Sequence, residues 1–145
     1  MSEAALELNF YKKMEKIKAI IERAEDGGFG IYSKEIPGLV GYGLHEDEAR
    51  EDFACIMEEQ IEYQKKTTGT VPDWAENPVE YHYDLSAFFQ AFPFINATQF
   101  AREIGINPSL MRKYKMGLAS ASEKQKKLIE EHLKAMIEKL QRVEF

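Results

Sequence analysis

The sequence has little of what covalent or metal-based chemistry requires. Its one cysteine, Cys55, excludes an internal disulfide and a zinc site built from cysteines. The three histidines, His45, His82 and His132, are far apart and lack the spacing of metal ligands. No phosphate loop, dinucleotide fingerprint or Ser/His/Asp signature is present. We therefore expect a protein without metal or cofactor that acts by binding and not as an enzyme.

Long apolar runs are missing as well. No stretch approaches the length of a membrane-spanning helix, and residues 1–16 are too charged for a signal peptide. Apolar residues make up 44% of the chain and charged residues 30%, which is typical of a folded globular protein. These features predict a cytoplasmic protein with no membrane partner.

The charge is unevenly distributed along the chain. Residues 1–85 hold 9 Lys+Arg and 19 Asp+Glu, a net charge of −10, whereas residues 86–145 hold 10 and 6, a net charge of +4. The overall charge of −6 argues against a nucleic-acid-binding protein, but the asymmetry does not. It predicts an acidic module with its own partner and a basic module suited to nucleic acid.

Three short strands, a long helix and a fourth strand are predicted in the acidic half. Turn-forming residues separate the first three strands, which indicates an antiparallel meander, and the helix begins with three acidic residues that favour its dipole. The predicted boundaries are Ile17–Ala24, Phe29–Glu35, Leu39–Gly43, helix His45–Lys66 and Val79–Tyr83. The predicted class is α+β, with a βββαβ antiparallel-sheet module at residues 1–83 and an all-α module at residues 84–145.

The long helix should cover one face of this sheet. Its predicted inner face consists of Ala49, Phe53, Ile56, Met57, Gln60 and Tyr63. Cys55 lies within the helix and is predicted to be a small, partly buried residue rather than a nucleophile. Upstream, Leu6, Phe10 and Met14 have helix-like spacing without a strong cap, so a short helix and an unstructured arm both remain open.

Two short helices joined by a tight turn are predicted between Asn96 and Gly117. Asn96 is a good N-cap, and Gly105 ends the first helix where a positive φ is favoured. Asn107 and Pro108 suit the N-cap and the first position of the second helix. The predicted buried residues are Ala97, Phe100, Ala101, Ile104, Leu110, Met111 and Tyr114.

A further helix is predicted on each side, at Asp84–Phe92 and at Ser122–Gln141. The second has an unusually wide apolar face, only one side of which can close the core of the two short helices. The other side would remain exposed, so we predict a homodimer or a larger symmetric oligomer. The apolar face consists of Leu128, Ile129, His132, Leu133, Met136, Ile137 and Leu140.

The stretch from Asn96 to Met116 resembles the DNA-binding helix-turn-helix of phage-repressor-like proteins. Ala101 stands where that motif has a small residue at the helix crossing, and Gly105 stands at its turn glycine. The resemblance implies a double-stranded DNA operator as partner. Asn107, Ser109, Arg112 and Lys113 would face the major groove, with Arg112 and Lys113 reaching guanine and Asn107 pairing with adenine. The predicted phosphate contacts are Thr98, Gln99, Lys115, Lys124, Lys126 and Lys127.

The acidic half resembles the HicB antitoxin family. The resemblance rests on Asp26-Gly27-Gly28-Phe29, Glu35-Ile36-Pro37-Gly38, Gly43 and Glu48-Ala49, and it covers roughly residues 17–85. The departures from the family pattern are Lys34, Glu35 and His45. The family implies a partial ribonuclease-H-like module that blocks a small basic, RNA-cleaving, HicA-like toxin and represses its own operon. The predicted toxin contacts are Glu35, Glu46, Asp47, Glu51 and Asp52.

Two alternatives remain open from the sequence. The chain could be a plain helix-turn-helix regulator whose first module senses a ligand or mediates assembly. It could also be a degenerate nuclease, although Glu22, Glu25, Asp26 and Glu35 lack the spacing of ligands for a divalent ion. The structural alternative to DNA binding is a helical hairpin with a solvated basic face.

Overall fold

The computed structural model describes residues 2–4 and 15–145, so the predicted spacing of Leu6, Phe10 and Met14 lies outside the described residues. The chain divides into two compact units, Met1–Asp84 and Leu85–Phe145. The described elements are β1 (Ile17–Arg23), β2 (Phe29–Tyr32), β3 (Val40–Gly43), α1 (Glu46–Thr68), β4 (Val79–Tyr83), α2 (Leu85–Ala91), α3 (Ala97–Ile104), α4 (Pro108–Lys115) and α5 (Glu123–Leu140). The fold is therefore mixed α+β.

The first unit contains a four-stranded sheet of order β3-β2-β1-β4. β1, β2 and β3 pair antiparallel, but β4 pairs parallel to β1, so the prediction of a purely antiparallel sheet was wrong. The cause is the α1 connection, which carries the chain back to the starting end of the sheet before β4 begins. β2 also ends at Tyr32 instead of Glu35, because the chain turns at Ser33, whose Oγ accepts from Glu35 N at 3.3 Å.

α1 covers one face of this sheet through a narrow contact with β3. Gly41 and Gly43 lie against it so closely that an added Cβ would come within 2.6 Å of Phe53 N and 2.5 Å of Ala49 N, respectively. Glycine at both positions is what lets the two backbones approach. The core between helix and sheet consists of Ile17, Ala19, Ile21, Phe29, Ile31, Ala49, Phe53 and Met57.

Two predictions for α1 were wrong. Tyr63 is 71% exposed, and Cys55 is exposed rather than partly buried. Cys55 lies between the buried Phe53 and Met57 but on the opposite side of α1, whereas Tyr63 lies beyond Met57, the last buried residue of the helix. None of the helices in the described part of the chain has the length and apolar character needed to cross a lipid bilayer.

The second unit is formed by α2–α5 around one apolar core. Phe88, Phe89 and Phe100 meet there in edge-on and tilted ring contacts with centroids 5.2–6.0 Å apart. Aromatic rings at such distances add attraction beyond the area that they bury. The buried members of this core are Phe89, Ala97, Phe100, Ala101, Ile104, Ile106, Met111, Tyr114 and Ile129.

Candidate nucleic-acid interface

α3 begins and ends as its sequence predicts. The Asn96 side chain accepts from Gln99 N at 3.0 Å, which satisfies one of the free amides of the first turn. Gly105 ends the helix with φ 85°, and its amide donates to Ala101 O. Ala101 itself is fully buried beneath the crossing of the two helices. The turn between α3 and α4 is thus determined by local residues.

α4 is capped by a residue that was predicted to read bases. Asn107 Oδ1 accepts from Ser109 N at 2.8 Å and from Leu110 N at 3.4 Å, and Pro108 occupies the first turn. An asparagine pairs with adenine through both its oxygen and its amide nitrogen. Because the cap occupies the oxygen, Asn107 can pair in that way only if it gives up its bonds to α4.

Arg112 joins α4 to α3. Its Nη1 donates to Thr98 Oγ1 at 3.2 Å, and its Nη2 donates to Ser109 Oγ at 3.1 Å. Arg112 and Ser109 remain exposed, whereas Thr98 is half-buried. Three residues that were predicted to contact DNA therefore form one hydrogen-bonded group at the junction of the two helices.

A cleft of about 400 Å³ opens beside this group. Two cations, Arg112 and Lys115, line it, and no acidic residue does. Phe94, at its edge, is 82% exposed and makes an edge-on contact with Phe92 at 6.2 Å. The remaining lining residues are Pro93, Ile95, Asn96, Ala97, Thr98 and Met116. The cleft therefore combines positive charge with an apolar rim.

Further exposed lysines lie on α4 and at the start of α5. Lys113, Lys115, Lys124 and Lys127 are exposed, and none of them takes part in an ion pair within residues 15–145. Lys126 differs, because its Nζ lies 3.1 Å from Glu123 Oε1. Gln99, on α3, is also exposed. The charge on α4 is positive throughout, since Arg112, Lys113 and Lys115 have no acidic neighbour on that helix.

The start of α5 has its own cap and one polar contact with α4. Ser122 Oγ accepts from Gln125 N at 3.2 Å, and the Tyr114 hydroxyl donates to Gln125 Oε1. His132 has a ring nitrogen 3.1 Å from Leu128 O, as expected for a histidine that is satisfied by its own helix. The end of α5 is different, with Ile137 and Leu140 more than half exposed.

In the first unit, three of the five predicted toxin contacts are hydrogen-bonded to groups of the same unit. Glu46 forms an ion pair with Arg50 at 3.0 Å and accepts from the Tyr83 hydroxyl, so it is not a free acidic group. Asp52 Oδ2 accepts from Tyr42 N at 2.8 Å and holds the β3 edge. Glu35, Asp47, Glu51 and Asp52 are exposed, whereas Glu46 is half-buried. Asp47 Oδ1 also accepts from Glu48 N within the first turn of α1.

Other carboxylates of this unit are likewise bound to neighbouring groups. Asp26 accepts from the Tyr42 hydroxyl and from Gly28 N, and these bonds hold its pKa below the usual 3.8. Glu80 contacts Lys16 Nζ and His82 Nε2, each at 2.7 Å, which lowers its pKa below 4.5. Burial and the neighbouring Asp84 carboxylate raise the pKa of Glu22 instead.

Sequence reasoning missed the apolar rim of the cleft. Phe94 and Met116 line the cleft together with Arg112 and Lys115. The only signal in the sequence is the position of Phe94 directly after Pro93, in a stretch that must turn before α3 begins. No spacing rule connects residue 94 with residue 116, because they meet only through the packing of α3 against α4.

No family model, curated protein or solved structure matches this chain. Within the described ranges 2–4 and 15–145, no group of three or more His, Cys, Asp or Glu side chains is placed to hold a metal ion. The assignment of function therefore depends on the geometry of the two units.

Proposed function

We propose that the second unit binds double-stranded DNA, with α4 lying in the major groove. The observation that carries this proposal is the surface of α4, which presents Arg112, Lys113 and Lys115 without any acid on the same helix. α3 supports α4 through a tight turn at Gly105, as a helix-turn-helix requires. The lysines at the start of α5 extend the positive surface toward the phosphate backbone.

The proposal includes a symmetric dimer, because the end of α5 leaves apolar side chains uncovered. Ile137 is 51% exposed and Leu140 61%, and Val143 and Phe145 beyond them are also exposed. A paired protein would present two copies of α4 to two half-sites of an operator. The test is the mass in solution by light scattering: the full chain should be dimeric or larger, and Leu140→Glu should lower that mass.

For the first unit we propose the role of an antitoxin that blocks a small, basic, RNA-cleaving protein. Its element order, βββαβ, supports the HicB-like, partial ribonuclease-H-like arrangement to which the proposal refers. Asp47 and Glu51 are exposed near the start of α1 and would meet a basic partner there. Opposite charges of this kind act mainly on the rate and specificity of association. Catalysis is not part of the proposal.

The DNA-binding half is tested with the full chain and duplexes selected from a random pool. The wild type should bind the selected duplex at least a thousandfold more tightly than a scrambled one, as sequence-specific proteins do. Equal binding of both duplexes would refute sequence-specific recognition.

The antitoxin half is tested by co-expression with any small basic open reading frame beside the gene. We expect the full chain to restore growth that this neighbour inhibits. The double charge reversal Asp47→Lys and Glu51→Lys should abolish rescue, whereas Glu62→Lys, on the exposed surface further along α1, should not. Sequence-specific DNA binding without rescue would favour the plain helix-turn-helix regulator instead.

A further inference from the structure

Among the cations of α4, Arg112 is the one that is hydrogen-bonded to other side chains of the protein. Its guanidinium donates to Thr98 on α3 and to Ser109 on α4. Within the proposed DNA-binding function, on which this inference rests, we infer that Arg112 binds a backbone phosphate in the cleft beside α3. Lys113 is then the cation that α4 presents to base edges. The sequence predicts that Arg112 reads a base, and this assignment replaces that role with a phosphate contact.

The position of Arg112 favours a contact with phosphate. In a helix-turn-helix the first helix crosses the DNA backbone while the second enters the groove. Arg112 is bonded to Thr98 at the start of the first of these helices, and it lines the cleft there together with Lys115. A group fixed to the helix that crosses the backbone meets phosphate before it meets a base.

The number of donors on Arg112 also favours a phosphate over a base. A guanidinium has five N–H donors in one rigid plane, and the two hydroxyls accept from two of them. Reaching the floor of the groove requires the side chain to extend away from α3, which breaks its bond to Thr98. A phosphate in the cleft can accept from the remaining N–H groups while both hydroxyl bonds persist.

The chemistry of the cleft suits a phosphate group as well. Its lining contains two cations and no acid, which suits an anion. Phe94 at its edge offers apolar surface, which suits the deoxyribose on either side of a phosphate. The volume of about 400 Å³ leaves room for the sugar as well as for the phosphate.

Lys113 has the opposite character. It is exposed, takes part in no ion pair among the described residues, and does not line the cleft. One residue along an α-helix turns the side chain by about 100°, so Lys113 points to a different side of α4 from Arg112. It is therefore the cation of α4 that remains free to reach a guanine edge.

The experiment measures the affinity of the full chain for a selected and a scrambled duplex over a range of salt concentrations. Arg112→Ala should weaken both complexes by the same factor and reduce the slope of log K against log salt by about 1. The ratio between the two duplexes should stay within about twofold of wild type. Lys113→Ala is the matched variant, and it should lower that ratio by roughly 10- to 100-fold.

A second measurement locates the phosphate directly. Selected duplexes carrying one neutral methylphosphonate are bound in turn by the wild type and by Arg112→Ala. At one linkage the methylphosphonate should weaken binding by the wild type but not by the variant, because the variant has already lost that contact. Arg112→Lys, which keeps the charge, should retain part of the wild-type sensitivity at the same linkage. Thermal unfolding of each variant controls for loss of fold.

The outcomes separate the inference from the function on which it rests. A wild type that binds the selected and scrambled duplexes equally refutes the proposed sequence-specific function and the inference with it. A wild type that discriminates, paired with an Arg112→Ala variant that does not, refutes only the inference. The same holds if every methylphosphonate weakens the variant as much as it weakens the wild type.

Discussion

In the first unit, carboxylates around α1 and the sheet are bound to groups of the same unit, whereas in the second unit the cations of α4 are largely free of acidic partners. Glu46, Asp52 and Asp26 accept hydrogen bonds from Tyr83, Tyr42 and Gly28, among others. Lys113 and Lys115 have no such neighbours within the described residues. The net charge of a region therefore overstates what it offers to a partner when the charged groups also stabilise its fold.

The largest effect is expected from a substitution at the close contact between α1 and β3. Gly43→Ala places a methyl group 2.5 Å from Ala49 N, so the helix must move away from the strand and strain its carboxylate bonds. We expect the free energy of unfolding to fall by about 3 kcal/mol, because overpacking at a rigid backbone is costly. Urea unfolding of the full chain, followed by the fluorescence of Trp74, measures it.

Gly30→Ala is the matched control for that substitution. An added Cβ there lies 3.5 Å from its nearest neighbour, Glu22 Cγ, which is an ordinary contact. It should change the free energy of unfolding by no more than about 0.5 kcal/mol. Equal urea midpoints for Gly43→Ala and Gly30→Ala would contradict the close approach of α1 and β3.

A smaller loss of stability is expected when a hydrogen-bonded carboxylate of the first unit is removed, and almost none when an unpaired cation of α4 is removed. Glu48 accepts from Leu44 N at 3.1 Å and from His45 N at 3.3 Å where α1 begins. Glu48→Ala should lower the free energy of unfolding of the first unit by about 1 kcal/mol, in the range expected for loss of a helix cap. Lys113→Ala should leave the stability of the chain within about 0.5 kcal/mol. Comparable losses in both variants would remove the contrast between the units.

The smallest expected effect is a change in one titration. The bond from the Tyr42 hydroxyl is the main reason that the pKa of Asp26 lies below 3.8. A carboxyl group whose pKa is depressed by folding stabilises the folded state at pH values above 3.8. This contribution is lost as the pH falls through the folded-state pKa. Tyr42→Phe should raise the pKa of Asp26 toward 3.8, as followed by carboxyl NMR shifts. Tyr63→Phe, at an exposed position, should leave it unchanged.

The elements that the sequence predicts well are those with local signals. Asn96, Gly105 and Asn107 determine the ends of α3 and the start of α4, because caps and a left-handed turn involve residues only a few positions apart. The same holds for Ser122 at the start of α5. These helices consequently begin and end within one or two residues of the prediction.

Contacts between distant residues explain the misses. Glu46 also contacts Tyr83 and Asp52 contacts Tyr42, which lie 37 and 10 residues away, and no periodicity reports such pairs. Only the pairing of Glu46 with Arg50 has the i, i+4 spacing that a helix predicts. The bond between Arg112 and Thr98 spans 14 residues and has the same origin. The parallel direction of β4 depends on the path of α1, since alternation within a strand does not indicate its partner.

The parallel pairing of β4 with β1 has a consequence for how the protein is made. Ile17 pairs with Val79 and Ile21 with Tyr83. One edge of β1 therefore stays unpaired during synthesis until the ribosome has produced β4. Until then its amides and carbonyls are available to other nascent chains, and such an edge is a template for aggregation. A chain truncated before Val79 would therefore be expected to aggregate, even though it contains three strands and all of α1.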